Sequence, residues 1–583
     1  MQLLKPLLQD GYIMVTWANE HYLDFAKSWV ANLKRVGVTG YIVGSMDDDM
    51  LRALVGLGIN TWRMNTGITK QDLGWGSPNF HKMGRSKIDL IRQFMAFPDV
   101  TLVISDIDTA WVRNPLPFFT RFKDADVLTS TDQLGPTVKT EDLERWPDAG
   151  SSFNIGIMVF RPKSKPMVEE WIKVLEKPDV WDQNAFNDVV RMGATKSRED
   201  GLFEGWNKQV NVGILPAAQF SSGHVFFVQH KYEEFGLQPY VAHATFQYSG
   251  TPGKRHRFRE AMLFEDPPEY YDSPKGFITF RMDIPPELLA AANGTATLGV
   301  MTADKLGSHF ALVLHQLQRL RAAVALAQLT GRVLVMPPIW CELDKYWAPL
   351  YDGNIPGSHF KKPFICPMDH VLDIEGGWFP RKPEQHFGPH VEWREYSFFQ
   401  NPRMPAAVNN SRLLVELCSS GAEGCSDGSA TPTVQAHRIK VQPGRNSDQL
   451  TTLLKAGASY KVLEFSNLAS LWPPFSQEGG WFTKPEQHRA FVERLKQMTS
   501  VSCCLATSPG WVWYDMLWDV PHTDRFNRRY DSWHIKLGDQ DMRPMATKPK
   551  RSLAAAGQLV QGTALGPAGQ QGHSGVPRHR AAL

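Results

Sequence analysis

Two aspartates, Asp106 and Asp108, stand one residue apart directly after the apolar run Leu102-Val103-Ile104. The run is too short for a helix and is typical of a buried strand, so both carboxylates are predicted to lie at the carboxyl end of that strand. Open α/β sheets bind ligands at that end, and paired carboxylates are hard oxygen ligands that suit Mg²⁺ or Mn²⁺. Because Asp-x-Asp turns also cap helices or face water, the metal interpretation depends on the motifs that follow.

Motifs near residue 250 could complete a site for a diphosphate. His243 could fill a metal position that two carboxylates leave open, and a turn at Gly250 could let Lys254 reach a phosphate. The alternative for His243 is a satisfied polar side chain at a strand end. The alternative for the arginines that follow Lys254 is a solvated basic face: Arg255, Arg257 and Arg259.

Further candidates for donor binding come from other segments. Asn154 and Gly156 interrupt an apolar strand, which favours either close approach of a ligand or a β-bulge. Asp182 and Gln183 open a predicted helix and could face a sugar, although Asp182 could instead be the N-cap. Cations after a glycine-rich loop are candidates for the diphosphate, and polar residues after the first strand for the nucleoside: Lys82, Arg85, Lys87, Thr16 and Asn19.

An alternation of strands and helices must position these residues. Apolar segments predict strands at 12–17, 41–44, 60–64, around Leu102, at 126–130 and at 153–160, and most of the intervening segments have helical spacing. This rhythm predicts an α/β fold with a doubly wound, mostly parallel sheet. The predicted organisation is a first domain at 1–275, a proline-rich linker at 276–298, a second α/β domain at 299–543 and a disordered tail at 544–583.

Composition narrows the class of protein. The 583 residues carry a net charge of only +3, which gives no nucleic-acid footprint, and no segment approaches the ~20 apolar residues of a membrane span. The first residues do not have the pattern of a signal peptide. No CxxC pair supports a zinc site. Among the fifteen connectivities that six cysteines allow, Cys341–Cys366 and Cys418–Cys425 are plausible short loops.

Taken together, the motifs resemble glycosyltransferase family 77, whose members are nucleotide-diphospho-sugar transferases with the GT-A fold. The resemblance runs from about residue 12 to 275 through VTWAN, GWGSPNFHKMGRSK, VISDIDTAWVRNPLPFF, FNIGIMVFRP, WDQNAFNDVV and HATFQYSGTPGKRHRFRE. It continues through HQLQRLRAAVALAQLTGRVLVMPPIWCELDKYW and KPFICPMDHV, which are similar to the plant extensin arabinosyltransferases of that family. The second domain also resembles part of a Rossmann-like fold, with a packing or acceptor-binding role.

The resemblance implies transfer of L-arabinofuranose from UDP-β-L-arabinofuranose to arabinosylated hydroxyproline of extensin-type cell-wall glycoproteins. It also implies retention of configuration, Mn²⁺ (or Mg²⁺) as cofactor, and a type II membrane protein facing the Golgi lumen, its anchor absent from this chain. The residues that match the family's metal, phosphate and donor-sugar elements are Asp106 and Asp108 with His243, Gly250 with Lys254, and Asp182 with Gln183.

Several alternatives stay open from the sequence. A galactosyl- or xylosyltransferase of the same family would share these motifs, and a non-catalytic glycan-binding scaffold could keep the fold without turnover. The sequence offers no obvious carboxylate nucleophile. This favours direct attack by the acceptor hydroxyl on the sugar's anomeric carbon, from the same face as the leaving group. Asp182 is the candidate for a covalent intermediate.

Overall fold

The computed structural model describes residues 4–541 except 65, 68–77, 178–179, 293–302, 347–349, 351, 375–385, 388–390, 477, 497, 499–500, 504–510, 515, 518, 520–535 and 538–539. The predicted tail at 544–583 lies outside the described residues. The predicted linker at 276–298 is described only in part, and its described residues include the strand Phe277–Phe280 and the helix Pro286–Ala291.

The first half of the chain contains eleven of the described strands and nine of the described α-helices. The strands are β1 Tyr12–Ala18, β2 Tyr41–Ser45, β3 Thr61–Arg63, β4 Thr101–Ser105, β5 Thr109–Trp111, β6 Val127–Thr131, β7 Phe153–Phe160, β8 Phe203–Gly205, β9 Val210–Ile214, β10 Phe220–Ser222 and β11 Val241–His243. The α-helices are α1 Leu23–Arg35, α2 Asp48–Gly56, α3 Pro78–Phe94, α4 Leu116–Arg121, α5 Lys165–Leu175, α6 Asp182–Arg191, α7 Lys231–Glu234, α8 Gly250–Glu260 and α9 Pro268–Tyr271.

Eight of these strands form a sheet in the order β3-β2-β1-β4-β7-β6-β9-β8. Neighbours from β3 to β4 are parallel, as are β6 and β9. Strand β7 is antiparallel to both β4 and β6, and β8 is antiparallel to β9. Every residue of β1 and β7 is buried, because apolar side chains and helices cover both faces of the sheet. A second, three-stranded sheet has the order β10-β11-β5.

The second half builds another α/β layer. Its strands are β12 Phe277–Phe280, β13 Val333–Val335, β14 Ile339–Cys341, β15 Phe364–Cys366, β16 His386–Phe387, β17 Val391–Arg394, β18 Arg412–Leu417, β19 Cys425–Ser426, β20 Arg438–Val441, β21 Val462–Phe465, β22 Val501–Cys503, β23 Trp511–Trp513, β24 Lys536–Leu537 and β25 Gln540–Asp541. Its helices are α10 Pro286–Ala291, α11 Ala303–Thr330, α12 Ala406–Asn410, α13 Ser447–Leu454 and α14 Pro485–Leu495.

Its main sheet has the order β16-β17-β13-β12-β21-β18-β20-β19, and all neighbours are parallel except β16 and β17. Helix α11 packs its apolar residues into the core of this half. The predicted α/β class with mostly parallel sheets is thereby confirmed. The antiparallel strand β7 differs from the sequence expectation, since an apolar run carries no signal for the direction of its neighbours.

The two halves share buried contacts, and the described part of the second half contains two disulfides. Leu134, Val225 and Phe246 of the first half form one apolar cluster with Leu350 and Ile355 of the second. The predicted pairs Cys341–Cys366 and Cys418–Cys425 are both disulfides, which confirms that interpretation. None of the helices in the described part of the chain has the length and apolar surface needed to cross a bilayer.

Candidate functional site

Polar residues gather at one edge of the first sheet. Strands β4 and β6 both run antiparallel to β7, so their carboxyl ends meet the amino end of β7 at the same edge. Asp106 follows β4, Asp132 follows β6, and Asn154 and Gly156 lie near the start of β7. The reversed direction of β7 therefore brings its two polar interruptions beside the Asp106 motif.

The three-stranded sheet brings His243 to the same place. His243 in β11 is paired with Thr109 in β5, the residue after Asp108. The imidazole Nε2 lies 3.4 Å from Asp108 Oδ1 and 3.8 Å from Asp106 Oδ2, and one ligand atom from each residue falls within 4.8 Å of the others. Two carboxylate oxygens and an imidazole form a donor set that suits Mn²⁺ or Mg²⁺.

Gly156 makes room for the imidazole. A Cβ at position 156 would lie 2.2 Å from His243 Cε1 and 2.8 Å from its Nδ1, far inside van der Waals contact. The imidazole therefore occupies the space that any other residue at 156 would fill. The bulge interpretation of Asn154 and Gly156 has a counterpart in the structure, because the β6–β7 register shifts between Thr129 and Ser130.

Two lysines hold the paired carboxylates. Lys254 Nζ donates to Asp108 Oδ2 at 2.7 Å, and Lys87 Nζ donates to Asp106 Oδ1 at 2.9 Å. Lys87 is buried, and its ammonium also donates to the Ile155 carbonyl at 2.5 Å. Gly250, whose φ of 57° favours glycine, begins the helix α8 that carries Lys254. The site thus combines two carboxylates with two cations.

These neighbours shift the protonation of the buried groups. Burial alone would raise the pKa of Asp108, but the charges of Lys254 and His243 hold that pKa well below its usual range. Burial alone would lower the pKa of His243, but Asp108 and Asp106 raise it. Asp108 is therefore an anion near neutral pH, as a metal ligand must be.

Asp132 is a site residue that the sequence reasoning missed. Its Oδ1 accepts from Asn154 Nδ2 and its Oδ2 from Gln183 Nε2, both at 2.9 Å, so one buried carboxylate orients two candidate donor contacts. Burial raises the pKa of Asp132, and the two amide hydrogen bonds oppose that rise. Its signal was the one used for Asp106, a polar residue directly after a buried strand.

A cavity of about 330 Å³ lies above this edge. Of the predicted site residues it is lined by Lys87, Asp106, Asp108, Asn154, Gly156, Asp182, Gln183, His243, Gly250 and Lys254. Asp182 is the first residue of α6 rather than its N-cap, which is Trp181. Burial raises the pKa of Asp182, an effect opposed by the charge of Lys87.

Four residues that the sequence predicted to bind the nucleotide-sugar donor are not among the described residues that line the cavity. Thr16 and Asn19 are buried at the end of β1, where Trp17 and Ala18 line the cavity instead. Lys82 Nζ donates to the Gly67 carbonyl and Arg85 Nη2 to the Lys177 carbonyl. These two cations lie on the helix that carries Lys87, but only Lys87 points into the cavity.

The arginines of α8 do not form a solvated basic face. Arg255, Arg257 and Arg259 are all buried, and each is paired with an acid outside α8. Their partners are Asp24, Asp369 and Asp266, respectively. A buried guanidinium needs such a counter-ion, so these pairs fix α8 against its surroundings.

Comparison with known proteins points to one family. A sequence profile of the nucleotide-diphospho-sugar transferases matches residues 36–258. The Arabidopsis thaliana protein named arabinosyltransferase XEG113 is 41% identical over 524 residues, which cover 89% of this chain and 78% of that protein. Arabinosyltransferase RRA2 of the same plant is 22% identical over 277 residues, covering 45% of this chain and 62% of that protein.

Solved structures match part of the chain more loosely. Mouse xyloside xylosyltransferase 1 in its apo form is 12% identical, with a TM-score of 0.27, and the match covers 40% of this chain and 98% of that one. The bifunctional glycosyltransferase WbbM in its apo form is also 12% identical, with a TM-score of 0.28 and coverage of 42% and 47%.

Proposed function

We propose that this chain, which belongs to the nucleotide-diphospho-sugar transferase family and is a glycosyltransferase, is an arabinosyltransferase. In this proposal it moves L-arabinofuranose from UDP-β-L-arabinofuranose to arabinosylated hydroxyproline of extensin-type glycoproteins, with retention of configuration. The sugar assignment is supported by the 41% identity to a protein named as an arabinosyltransferase.

One observation carries the transferase chemistry. Asp106, Asp108, His243 and Lys254 meet at a single cavity, which Gln183 also lines. The carboxylates and the imidazole would hold Mn²⁺ or Mg²⁺, which would supply positive charge to a diphosphate. Lys254 lies where it can exchange its bond to Asp108 for one to a phosphate oxygen.

The proposed reaction uses the chain's own residues in distinct roles. The bond between the donor's anomeric carbon and the phosphate oxygen breaks, and its electron pair leaves with UDP. The acceptor hydroxyl bonds to the same face of that carbon, and its proton passes to the departing phosphate. Lys254 stabilises the charge that grows on the phosphate, while Asp182 and Gln183 contact the sugar. Asn154, held by Asp132, orients the donor from the β7 side.

The test is a donor panel. The chain is incubated with Mn²⁺, an arabinosylated hydroxyproline peptide and, in turn, UDP-arabinofuranose, UDP-galactose and UDP-xylose, and product mass is measured. We expect a pentose addition from UDP-arabinofuranose alone. A product from UDP-galactose or UDP-xylose, or no product from any of the three donors, would overturn the proposal.

A pair of variants ties activity to the site. Asp108→Ala should abolish Mn²⁺-dependent transfer without unfolding the chain, and full activity in that variant would contradict the assigned site. Asp89→Ala is the matched control, since Asp89 is half exposed on α3 and pairs only with neighbours on its own helix, Arg92 and Gln93, among the hydrogen bonds and ion pairs described.

We also propose that the enzyme acts in the Golgi lumen. The two disulfides support this, because disulfides persist in oxidising compartments and are rare in the cytosol. Fluorescence of the tagged protein in plant cells tests it, with co-localisation with a Golgi marker expected and a cytosolic signal contradicting it.

A further inference from the structure

The segment from His243 to Lys254 joins two working parts of the proposed site. His243 ends β11 beside Asp108, and Lys254 lies one turn into α8 with its ammonium on the same carboxylate. Only ten residues separate them, and the ordered path of those residues sets where the imidazole and the ammonium lie. What fixes this segment therefore fixes the geometry of the site.

The second half of the chain supplies that fixation through Asp369. Its Oδ2 accepts from the backbone N–H of Tyr248 at 3.0 Å, in the middle of the segment. The same carboxylate accepts from Arg257 Nη2 at 3.0 and 3.2 Å, one turn after Lys254 on α8. The Asp369 side chain is 1% exposed and that of Arg257 is 0% exposed, so solvent does not screen the pair.

Asp369 is itself rigidly held. It lies in the short helical turn Met368–His370, just after the Cys341–Cys366 disulfide. Lys345 Nζ donates to the Asp369 carbonyl at 2.7 Å, and the Tyr248 hydroxyl donates to the Lys345 carbonyl. Burial alone would raise the pKa of Asp369, but Arg257 and His370 lower it, so the carboxylate stays ionised.

The first turn of α8 packs closely against the segment that Asp369 holds, so the position of that segment determines the position of the helix. A Cβ at Gly253, the residue before Lys254, would lie 2.7 Å from Gln247 Oε1 and 3.5 Å from Asp369 Oδ2. Gln247 Oε1 in turn accepts from the Ser249 N–H at 2.9 Å. The start of the helix is thus packed directly against the loop that Asp369 holds.

We propose that Asp369 is a positioning residue of the transferase site, setting Lys254 against Asp108 and the diphosphate from the second half of the chain. The second half is then a functional part of the donor site, not only a packing or acceptor-binding unit. The proposal rests on the proposed function, because it requires that Lys254 contacts the UDP moiety.

A double-mutant cycle on the full chain tests it, with UDP as the probe and calorimetry in saturating Mn²⁺ as the measurement. Asp369→Asn should weaken UDP binding by about 10-fold in the otherwise native chain, and by less than about 3-fold when Lys254→Ala is already present. A residue that only stabilises the fold would give equal losses in both backgrounds. Equal losses, or no loss, would overturn the positioning role.

A matched control is offered by another arginine of the same helix, Arg259. Asp266→Asn also breaks a buried aspartate–arginine pair of α8, with Arg259 Nε at 3.0 Å, but Asp266 makes no described hydrogen bond to the segment 243–254. It should lower the thermal midpoint as Asp369→Asn does, yet leave UDP affinity unchanged. A comparable loss of UDP affinity in this control would also overturn the proposal.

Two further outcomes are assigned in advance. If Asp369→Asn does not fold, Asp369→Glu enters the same cycle, since it keeps the charge opposite Arg257 while shifting the acceptor from the Tyr248 N–H. If the native chain binds no UDP with Mn²⁺, the proposed function fails and this proposal fails with it. If the native chain binds UDP but the losses caused by Asp369→Asn and Lys254→Ala simply add, only the positioning role is overturned.

Discussion

The absence of a side chain at Gly156 predicts a sharp effect of one methyl group. In Gly156→Ala the new Cβ would stand 2.2 Å from His243 Cε1, whereas ordinary contacts begin near 3.4 Å. The imidazole must therefore move about 1.2 Å from the new Cβ, which disturbs its 3.4 Å approach to Asp108. Backbone strain does not contribute, because Gly156 is not among the residues with positive φ.

The size of the effect follows from this displacement. Overpacking of a tight interior costs about 1–3 kcal/mol of the free energy of unfolding. Misplacing a reactive group by about 1 Å can lower a rate by about 100-fold, and disturbing the surroundings of metal ligands weakens metal affinity by about 10- to 100-fold. Mn²⁺ affinity by calorimetry, chemical denaturation and the initial transfer rate measure the three quantities.

Two further variants make the explanation specific. Gly56→Ala is the control, because a Cβ there meets no atom within 4 Å in helix α2. It should leave Mn²⁺ affinity and the transfer rate unchanged and should not lower the free energy of unfolding. Adding Gly156→Ala to His243→Ala should cost less stability than adding it to the native chain, since the imidazole is gone. Native Mn²⁺ affinity and rate in Gly156→Ala, or equal costs in both backgrounds, would refute the reasoning.

Three other perturbations follow from buried groups. Asp132→Asn should place an amide against an amide donor such as Gln183 Nε2, lowering the transfer rate and costing about 1–3 kcal/mol in denaturant unfolding. The pKa of His309 is lowered to about 3, because burial and the charges of Lys362 and His370 disfavour its cation. Between pH 6.5 and 3 the unfolded chain therefore binds one more proton at His309, and the free energy of unfolding should fall with falling pH by about 1.4 kcal/mol per unit from this group, a component absent in His309→Gln. Replacing Cys341 and Cys366 with serine opens a loop of 25 residues and should cost about 3.5 kcal/mol, measured by denaturation under non-reducing conditions.

Each of these predictions has a contradicting result. A native rate in Asp132→Asn would show that Asp132 does not orient the donor contacts. An unchanged pH slope in His309→Gln would contradict the neutral, buried imidazole. Removing Cys418–Cys425, with a separation of 7, should cost only about 2.4 kcal/mol, so the reverse order of the two disulfides would contradict the loop-entropy argument.

The sequence was most informative where chemistry and secondary structure coincide. The position of Asp106 and Asp108 at a strand end follows from an apolar run and a break, both of which are local. The convergence of His243 and Lys254 on that pair was expected from residue type. The antiparallel pairing of β11 with β5 provides it for His243, and helix α8 provides it for Lys254. Asp132 has the same local signal and could have been found by the same rule.

What the sequence did not reveal depends on distant partners. Arg255 and Arg257 of α8 are neutralised by acids that lie 231 and 112 residues away along the chain. Local spacing predicts a basic face, since nothing nearby identifies the counter-ions. The same holds for helix α3. It carries three similar cations, Lys82, Arg85 and Lys87, and only the tertiary packing determines that Lys87 is the one that is buried and lines the cavity.

The apolar cluster shared between the halves bears on how the protein can be dissected. A fragment that ends near residue 275 would retain every described residue that lines the cavity, yet it would expose Leu134, Val225 and Phe246 to water. Such a contiguous apolar surface promotes association, so the fragment should be poorly soluble when expressed alone. The second half can be exchanged between relatives only if the segment that covers this surface is exchanged with its counterpart. Substitutions at the apolar surface of one half are therefore constrained by the residues of the other half that cover it.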